Sequence, residues 1–118
     1  MKNLIAERRK STRLTIGLPV SYELLGDKKN FGTSLAKDID KNGLKIRSDK
    51  FFPANAKLIL TLSFPEAQRT ARSEARVAWS QRINYSNRYL TGLELINLNP
   101  LYRRWLEEYI TFYKTFRK

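Results

Sequence analysis

The sequence predicts an all-β domain: a six-stranded antiparallel β-barrel followed by a C-terminal amphipathic α-helix. Three observations predict this architecture. Large apolar residues recur at every second position in several short segments, which is the repeat of a half-buried strand. Polar turn sequences separate these segments, with no helical pattern between them. Near the end of the chain the apolar spacing changes to three and four residues, the repeat of a helix face.

The first strand has the clearest alternation, six large apolar residues on one parity with mostly small or polar residues between them. Pro19 lies inside this run, and because proline cannot donate to a ladder it predicts an edge strand or a bulge. A polar turn over residues 25–30 follows. The six alternating residues are Leu14, Ile16, Leu18, Val20, Tyr22 and Leu24.

Three shorter strands come next. The second is predicted to end at a reversal over 40–43, where Asn-Gly readily adopts positive φ. Pro65 stops the fourth. The second strand runs through Phe31, Thr33, Leu35 and Ile39, the third carries Leu44 and Ile46, and the fourth carries Leu58, Leu60, Leu62 and Phe64.

The last two strands and the helix complete the domain. The sixth strand covers 89–97, Asn99 can cap the helix, and Pro100 suits its first turn. We therefore expect a basic N-terminal arm over 1–13, a barrel over 14–98 and a helix over 99–118, in one domain. The fifth strand carries Ala71, Ala75, Val77, Trp79 and Ile83 on one parity, the sixth carries Leu93 and Leu95, and the helix face carries Leu101, Trp105, Tyr109, Phe112 and Phe116.

Composition narrows the function classes. The 118 residues include 23 Lys and Arg against 11 Asp and Glu, so the net charge is +12 and an anionic partner is expected. The chain contains no cysteine and no histidine. It therefore has no thiolate nucleophile, no imidazole base and no usual zinc ligand, and we expect neither an enzyme, a metal site nor a cofactor. Without a signal-like or membrane-spanning apolar run, a cytoplasmic protein is expected.

The N-terminal arm holds the first candidate binding residues. It carries five basic residues against one acidic residue. Guanidinium groups match phosphate oxygens and also the O6 and N7 edge of guanine, and Arg9 and Arg13 are spaced to converge on one ligand, with Arg8 beside them. A solvated tail or a generic polyanion contact is the alternative interpretation.

A second candidate cluster lies where the second strand gives way to the third. Asp38 and Asp40 alternate, so on a strand they would share a face suited to accepting guanine N–H donors, and Gly43 permits close backbone approach. A hairpin turn with capping carboxylates is the alternative. The segment also matches the opening of a calcium loop, but strand patterns flank it where helices are required.

Together the two clusters resemble the PilZ domain family, whose pattern is R-x-x-x-R followed some 20 to 30 residues later by [DN]-x-S-x-x-G. Here Arg9 and Arg13 match the first motif, and Asp38, Asp40 and Gly43 occupy the second. The resemblance extends over residues 7–98, through the sequences Val-Ala-Trp at 77–79 and Gly-Leu-Glu-Leu at 92–95.

The resemblance implies a six-stranded barrel that binds the bacterial second messenger cyclic di-GMP. By the same resemblance, Arg9 and Arg13 would hold phosphates and guanine edges with help from Arg8, Asp38 would accept hydrogen bonds from a guanine, and Gly43 would allow the turn beneath it. Trp79 is a candidate for stacking on a base, although its parity also suits the core. The expected function is a non-catalytic receptor that passes the signal to a downstream protein.

The chain departs from the family pattern at Asp40, where the family has serine. Two like charges about 4 Å apart repel by roughly 1 kcal/mol in water and by about 4 kcal/mol at an effective dielectric of about 20. We therefore expect weakened but retained binding of the dinucleotide.

Two other functions remain open on the sequence. One is a PilZ-like protein-interaction module that has lost the nucleotide, using Tyr113 and Phe116; the helix would also suit a homodimer contact. The other is a basic nucleic-acid-binding barrel, which the charge allows but the lack of a clear exposed aromatic platform disfavours.

Overall fold

The computed structural model describes residues 17–116, with side chains up to residue 113. Within that range six antiparallel strands form one sheet in the order β2-β1-β4-β5-β6-β3, and a helix follows them. The sheet curls into a half-barrel, which confirms the predicted fold class. Its elements are β1 (Leu18–Leu24), β2 (Asp27–Ala36), β3 (Gly43–Ser48), β4 (Lys57–Phe64), a 3-10 helix (Pro65–Ala67), β5 (Arg69–Arg82), β6 (Tyr89–Ile96) and α1 (Pro100–Phe116).

The two strands with the clearest apolar alternation, β1 and β4, are neighbours in the interior of the sheet. In β4 every second side chain is buried, and in β1 the same alternation holds up to Tyr22, with Leu24 partly buried, because the side chains of a strand point alternately to its two faces. Each buried leucine contributes roughly 1.5–3 kcal/mol of transfer free energy. Leu14 and Ile16 lie outside the described residues. The fully or nearly buried members are Leu18, Val20 and Tyr22 in β1, and Leu58, Leu60, Leu62 and Phe64 in β4.

Of the two alternatives predicted from Pro19, the edge strand was wrong, because β1 is an interior strand between β2 and β4, and the register shift of the β1–β2 ladder lies at Glu23 and Leu24, away from Pro19. The β1–β4 ladder begins at Val20, which pairs with Leu62. Pro19 therefore precedes the first pair with β4, where its missing N–H leaves no gap in that ladder.

The second strand differs from the prediction in both length and orientation. It begins at Asp27, so the turn is shorter than 25–30. Phe31 and Leu35 face outward, 64% and 57% exposed, and Ala36 faces the core. The reason is the neighbouring strand β1. Gly32 pairs with Tyr22, and the Tyr22 ring occupies the inner space that a side chain at Gly32 would need. Gly32 therefore takes the inward position, and Phe31 and Leu35, on the opposite parity, face outward.

A β-bulge reverses the parity of the fifth strand. Val77 pairs with Leu93, but the next pair is Trp79 with Gly92, so Ala78 is an extra residue without a partner. Residues up to Val77 are buried on the predicted parity, whereas Trp79 turns to the outer surface and is 39% exposed. The alternation-based placement of Trp79 with the core was therefore wrong.

The helix begins as predicted, with the Asn99 side chain accepting the Leu101 N–H at 2.8 Å. Its buried residues are Leu106, Tyr109 and Ile110, which join the core of the sheet. The spacing predicted that Leu101 and Phe112 pack against the sheet, but both are about half exposed. The face of the helix that packs on the sheet lies to one side of the predicted face.

The half-barrel is closed at one point by its two edge strands. Beyond the end of β2, Lys37 and Lys45 exchange two backbone hydrogen bonds of 2.9 and 2.8 Å. Further along, the Arg47 N–H donates to the Ser34 side chain at 3.1 Å. We call this line between β2 and β3 the seam.

Candidate functional site

The loop at 40–43 is built around the Asp40 carboxylate. Its Oδ1 accepts the N–H of Asn42 at 2.8 Å and that of Gly43 at 2.9 Å, while the Asp40 N–H donates to the Gly43 carbonyl at 3.0 Å. This is an Asx-type turn in which the side chain satisfies two backbone donors at once. The departure at Asp40 thus has a local structural role, and the carboxylate is directed into its own loop.

Gly43 is required by the sheet next to this loop. A side chain at Gly43 would collide with the backbone carbonyl of Leu93 on β6, where the two strands pair. The predicted close approach is therefore present, and it is made to a neighbouring strand.

Two further contacts hold the loop from outside. The Leu95 N–H donates to the Asn42 carbonyl at 2.9 Å. From α1, the Arg103 guanidinium donates to the Lys41 carbonyl at 3.1 Å. The loop is thus fixed both to the sheet and to the helix.

Asp38 departs from regular strand geometry. It adopts the left-handed conformation, with φ of +51°, so strand alternation alone does not fix the direction of its carboxylate relative to Asp40, and both residues line the same shallow surface. The Asp38 carboxylate lies 2.7 Å from the Lys45 ammonium on β3. Asp38 is partly buried and directed toward the outer side of the seam, where a ligand can reach it.

Trp79 lies beside this ion pair on the outer surface. Gly92 and Lys45 pair in the β3–β6 ladder, and the indole lies against Gly92, where a side chain would collide with it. The Lys45 ammonium is 5.8 Å from the centroid of the Trp79 ring. A flat aromatic surface, a cation and a carboxylate therefore adjoin each other, the groups that a guanine base and a phosphate can use.

Two concave surfaces meet at Asp38 and Lys45. The shallower one, of about 260 Å³, lies over Trp79 and the 40–43 loop. The larger one, of about 740 Å³, follows the seam, within the roughly 300–1,000 Å³ of small-molecule sites. The seam groove is lined by the basic residues Lys37, Lys45, Arg47 and Arg88, the carboxylates Asp38 and Asp49, and the hydroxyls of Tyr22, Thr33, Ser34 and Ser48.

The described part of the chain begins near this site. Arg8, Arg9 and Arg13 lie outside the described residues, but Leu18 pairs with Ala36, two residues before Asp38. The Gly17 carbonyl, just before β1, lies 3.4 Å from the Tyr109 hydroxyl of α1. Gly17, the first residue that the structure describes, is therefore close to the end of the seam at which Asp38 lies.

Two tyrosine hydroxyls near the site remain neutral well above pH 7. Burial raises the pKa of Tyr109 to about 12, with the neighbouring Tyr113 and Glu66 adding to the shift. Burial, and then the Asp49 charge, raises the pKa of Tyr22, which lines the seam groove. Both hydroxyls can act as donors at neutral pH.

Sequence reasoning missed the basic residues of the seam and Arg103. Lys45 and Arg47 alternate with buried residues of β3, a signal for an outward basic stripe, but their position opposite Lys37 depends on sheet closure. Arg103 carries no local signal, since the residue it contacts is 62 positions away. Among residues 17–116, no cluster of acidic side chains is suited to hold a metal ion, and no helix is long and apolar enough to cross a membrane.

Comparison with known families adds an independent finding. The family model described as PilZ domain matches residues 7–112, a range that includes the second half of the basic arm, all six strands and most of α1. No curated protein sequence is similar enough to this chain to count as a relative.

Several solved structures share the fold. The Bacillus subtilis inhibitor of motility MotI/DgrA has a TM-score of 0.79 and 19% identity over 94% of this chain. K. pneumonia MrkH in its apo state has a TM-score of 0.71 and 14% identity over 94%. The PilZ domain of YcgR from Escherichia coli, solved with c-di-GMP, has a TM-score of 0.65 and 13% identity over 88% of this chain and 89% of its own. The chain spans about half of the MotI and MrkH chains, 53% and 54% respectively.

Proposed function

The chain belongs to the PilZ domain family, and on that premise we propose that it is a non-catalytic receptor that binds cyclic di-GMP between its basic arm and the Asp38–Trp79 surface. The family and the fold support a receptor domain of this class. Binding of the dinucleotide by this chain, a cytoplasmic location and transfer of the signal to a downstream protein are parts of the proposal.

The position of Gly17, where the described chain begins, carries the proposal. Leu18 pairs with Ala36, and from Ala36 the chain reaches Asp38 in two residues. Arg13 is four residues before Gly17, so the intervening chain spans at most about 14 Å. That length is sufficient to bring the arginines of the arm to the acidic end of the seam, and the two distant sequence motifs can meet on one ligand.

Each candidate residue has a chemical role in this proposal. Arg9 and Arg13 hold phosphates and guanine edges through bidentate hydrogen bonds, with Arg8 assisting. Asp38 accepts N–H donors of a guanine, and the Trp79 indole stacks on a base. Lys37, Arg47 and Arg88 add positive charge along the seam for the second half of the ligand.

Asp40 and Gly43 act through the shape of the loop. Since Asp40 Oδ1 accepts two backbone N–H groups, its charge is partly satisfied within the loop, although Asp40 also lines the shallow surface over Trp79. This lowers the repulsion expected from a carboxylate in place of serine, and it supports retained, weakened binding. A serine hydroxyl at this position can also accept a backbone N–H, although without a negative charge.

Titration calorimetry on the wild-type chain and on Asp40→Ser tests the proposal. We expect both to bind cyclic di-GMP, with Asp40→Ser binding several-fold more tightly, and neither to bind GMP or the linear dinucleotide comparably. Absence of binding by both chains at micromolar ligand would reject the ligand assignment.

A second candidate function is a protein-interaction module that does not bind nucleotide. Phe31 and Leu35 on β2 and Phe112 on α1 are at least half exposed, and such side chains can dock a protein surface. In that case Arg13→Ala leaves partner recruitment unchanged, whereas changes at Tyr113 or Phe116 abolish it.

A homodimer through α1, and the less favoured binding of nucleic acid, remain predictions. Sedimentation would check the first, and oligonucleotide titrations at several salt concentrations would check the second.

A further inference from the structure

The helix α1 contacts the 40–43 loop of the proposed nucleotide site and the chain just before β1. Near its start, Arg103 donates to the Lys41 carbonyl in the 40–43 loop at 3.1 Å. Six residues later, Tyr109 places its hydroxyl 3.4 Å from the Gly17 carbonyl, beside the start of β1. Six helical residues span about 9 Å along the axis, so one rigid element contacts the loop and the root of the arm.

The contact from Arg103 differs in kind from the other contacts of the loop. The hydrogen bonds of Asp40 lie within the loop, and the hydrogen bond from the Leu95 N–H to the Asn42 carbonyl lies at the end of the β3–β6 ladder. Arg103 supplies a charge-assisted donor, which is stronger than a neutral one, from outside the sheet. Arg103 is half-buried, and its hydrogen bond to the loop is exposed to solvent.

Tyr109 anchors the same helix firmly. It is only 9% exposed, and its ring contacts Phe64 and Tyr113 at centroid distances of 5.6 and 4.8 Å. Leu106 and Ile110 are buried beside it. The helix therefore has a fixed position on the core, from which Arg103 can determine where the loop lies.

We infer that Arg103 is a positioning residue for the nucleotide site: it holds the 40–43 loop in the conformation that binds ligand, and through it the docking of α1 and the binding of cyclic di-GMP are linked. The inference rests on the proposed function, and it adds the helix to the site. If the correct loop conformation is only fractionally populated, the apparent dissociation constant rises by the inverse of that fraction. By linkage, ligand binding stabilises the docked helix to the same extent.

The experiment compares Arg103→Met, Arg103→Lys and the matched control Arg104→Met. Arg104 is the adjacent residue on the same helix and is exposed, so its substitution makes the same change in charge and helix propensity without the loop contact. Two quantities are measured for each full-length variant: amide hydrogen exchange at Asn42 and Gly43 in the free protein, and the dissociation constant for cyclic di-GMP by calorimetry.

We expect Arg103→Met to speed exchange at the two loop amides and to weaken binding by about tenfold, the effect of losing a hydrogen bond to a charged group. Arg103→Lys keeps a cationic donor and should recover most of both properties, while Arg104→Met should match wild type in both. Circular dichroism confirms that each variant is folded, and Arg103→Lys provides a second test if Arg103→Met is not.

The inference is overturned if Arg103→Met and Arg104→Met have the same loop exchange, or if loop exchange rises while affinity stays equal. A wild-type chain that does not bind the dinucleotide rejects the proposed function instead. In that case the exchange comparison, which needs no ligand, still decides whether Arg103 fixes the loop.

Discussion

The Lys45 ammonium lies 2.7 Å from the Asp38 carboxylate and 5.8 Å from the centre of the Trp79 ring. One cation therefore contacts the two groups that we assign to guanine recognition. Both partners of the ion pair are about a quarter to a third exposed, and such pairs contribute little to stability, about 0–1 kcal/mol. A ligand can therefore displace Lys45 from Asp38 at low cost, and the freed ammonium is then available for a phosphate.

Asp38→Asn tests the role of this carboxylate in binding. The amide keeps the size of the side chain but removes the charge that strengthens hydrogen bonds from guanine, so we expect cyclic di-GMP to bind about tenfold or more weakly. The free energy of unfolding should change by less than about 1 kcal/mol, since the lost ion pair is partly exposed. Calorimetry and urea unfolding measure the two effects. Equal affinity in wild type and variant would remove Asp38 from the site.

Trp79 and Gly92 should act as one unit in binding. Trp79→Ala removes the stacking surface, and since base stacking on an aromatic ring contributes about 1–3 kcal/mol, we expect roughly tenfold weaker binding. Gly92→Ala places a methyl group where the indole lies, so the ring must move and affinity should fall similarly, with a shift in tryptophan fluorescence. Tyr85→Ala, at a fully exposed aromatic residue, is the control. Unchanged affinity in Trp79→Ala would return that residue to a purely structural role.

Gly43→Ala should affect stability where Gly92→Ala does not. The new methyl group meets the backbone carbonyl of Leu93, which cannot rotate away as a side chain can. Separating β3 from β6 at this point should lower the free energy of unfolding by about 1–3 kcal/mol, the usual cost of overpacking. Urea unfolding of the two glycine variants side by side measures the difference. Equal stability of both would show that the strand spacing is less constrained than the geometry indicates.

Arg13→Ala tests the basic arm, which lies outside the described residues. If Arg13 holds a phosphate, its loss should weaken binding of cyclic di-GMP at least tenfold and reduce the salt dependence of the affinity. Lys2→Ala, with the same change in charge far from the motif, should bind as wild type does. In wild type, adding the ligand should slow amide exchange over residues 7–16. An arm whose exchange is insensitive to ligand would contradict the receptor mechanism.

Tyr109 should produce a measurable alkaline loss of stability. Its pKa is raised from 10.0 to about 12 in the folded chain, mainly by burial. A group with a raised folded pKa stabilises the fold fully below its unfolded pKa, so the free energy of unfolding should fall as the pH rises from 10 toward 12. Tyr109→Phe removes this ionisation and should show a shallower decline over that range. Denaturant unfolding of both chains at matched pH measures the difference, and parallel curves would contradict the assignment.

The alternation of apolar residues was a reliable guide where the pattern was long and unbroken. In β1 and β4 it identified the buried side chains correctly, because burial of one strand face is a local property of the two-residue repeat. The pattern misled in β2, where the large residue Tyr22 on the neighbouring strand fills the inner space and leaves Phe31 outside. The spacing of apolar residues within one strand carries no information about the size of the side chains on the neighbouring strand.

The candidate site divides in the same way. The sequence by itself determined the strand count, the helix start at Asn99, the basic arm and the acidic loop with Gly43, because each depends on neighbouring residues in the chain. Only the tertiary structure decided that a bulge at Ala78 turns Trp79 outward, that Lys45 pairs with Asp38, and that Arg103 reaches the loop. None of these relationships follows from the local pattern of residues, whether the partners are 62 positions apart, as Arg103 and Lys41 are, or only seven, as Lys45 and Asp38 are, because they exist only once the sheet has curled and the helix has docked on it.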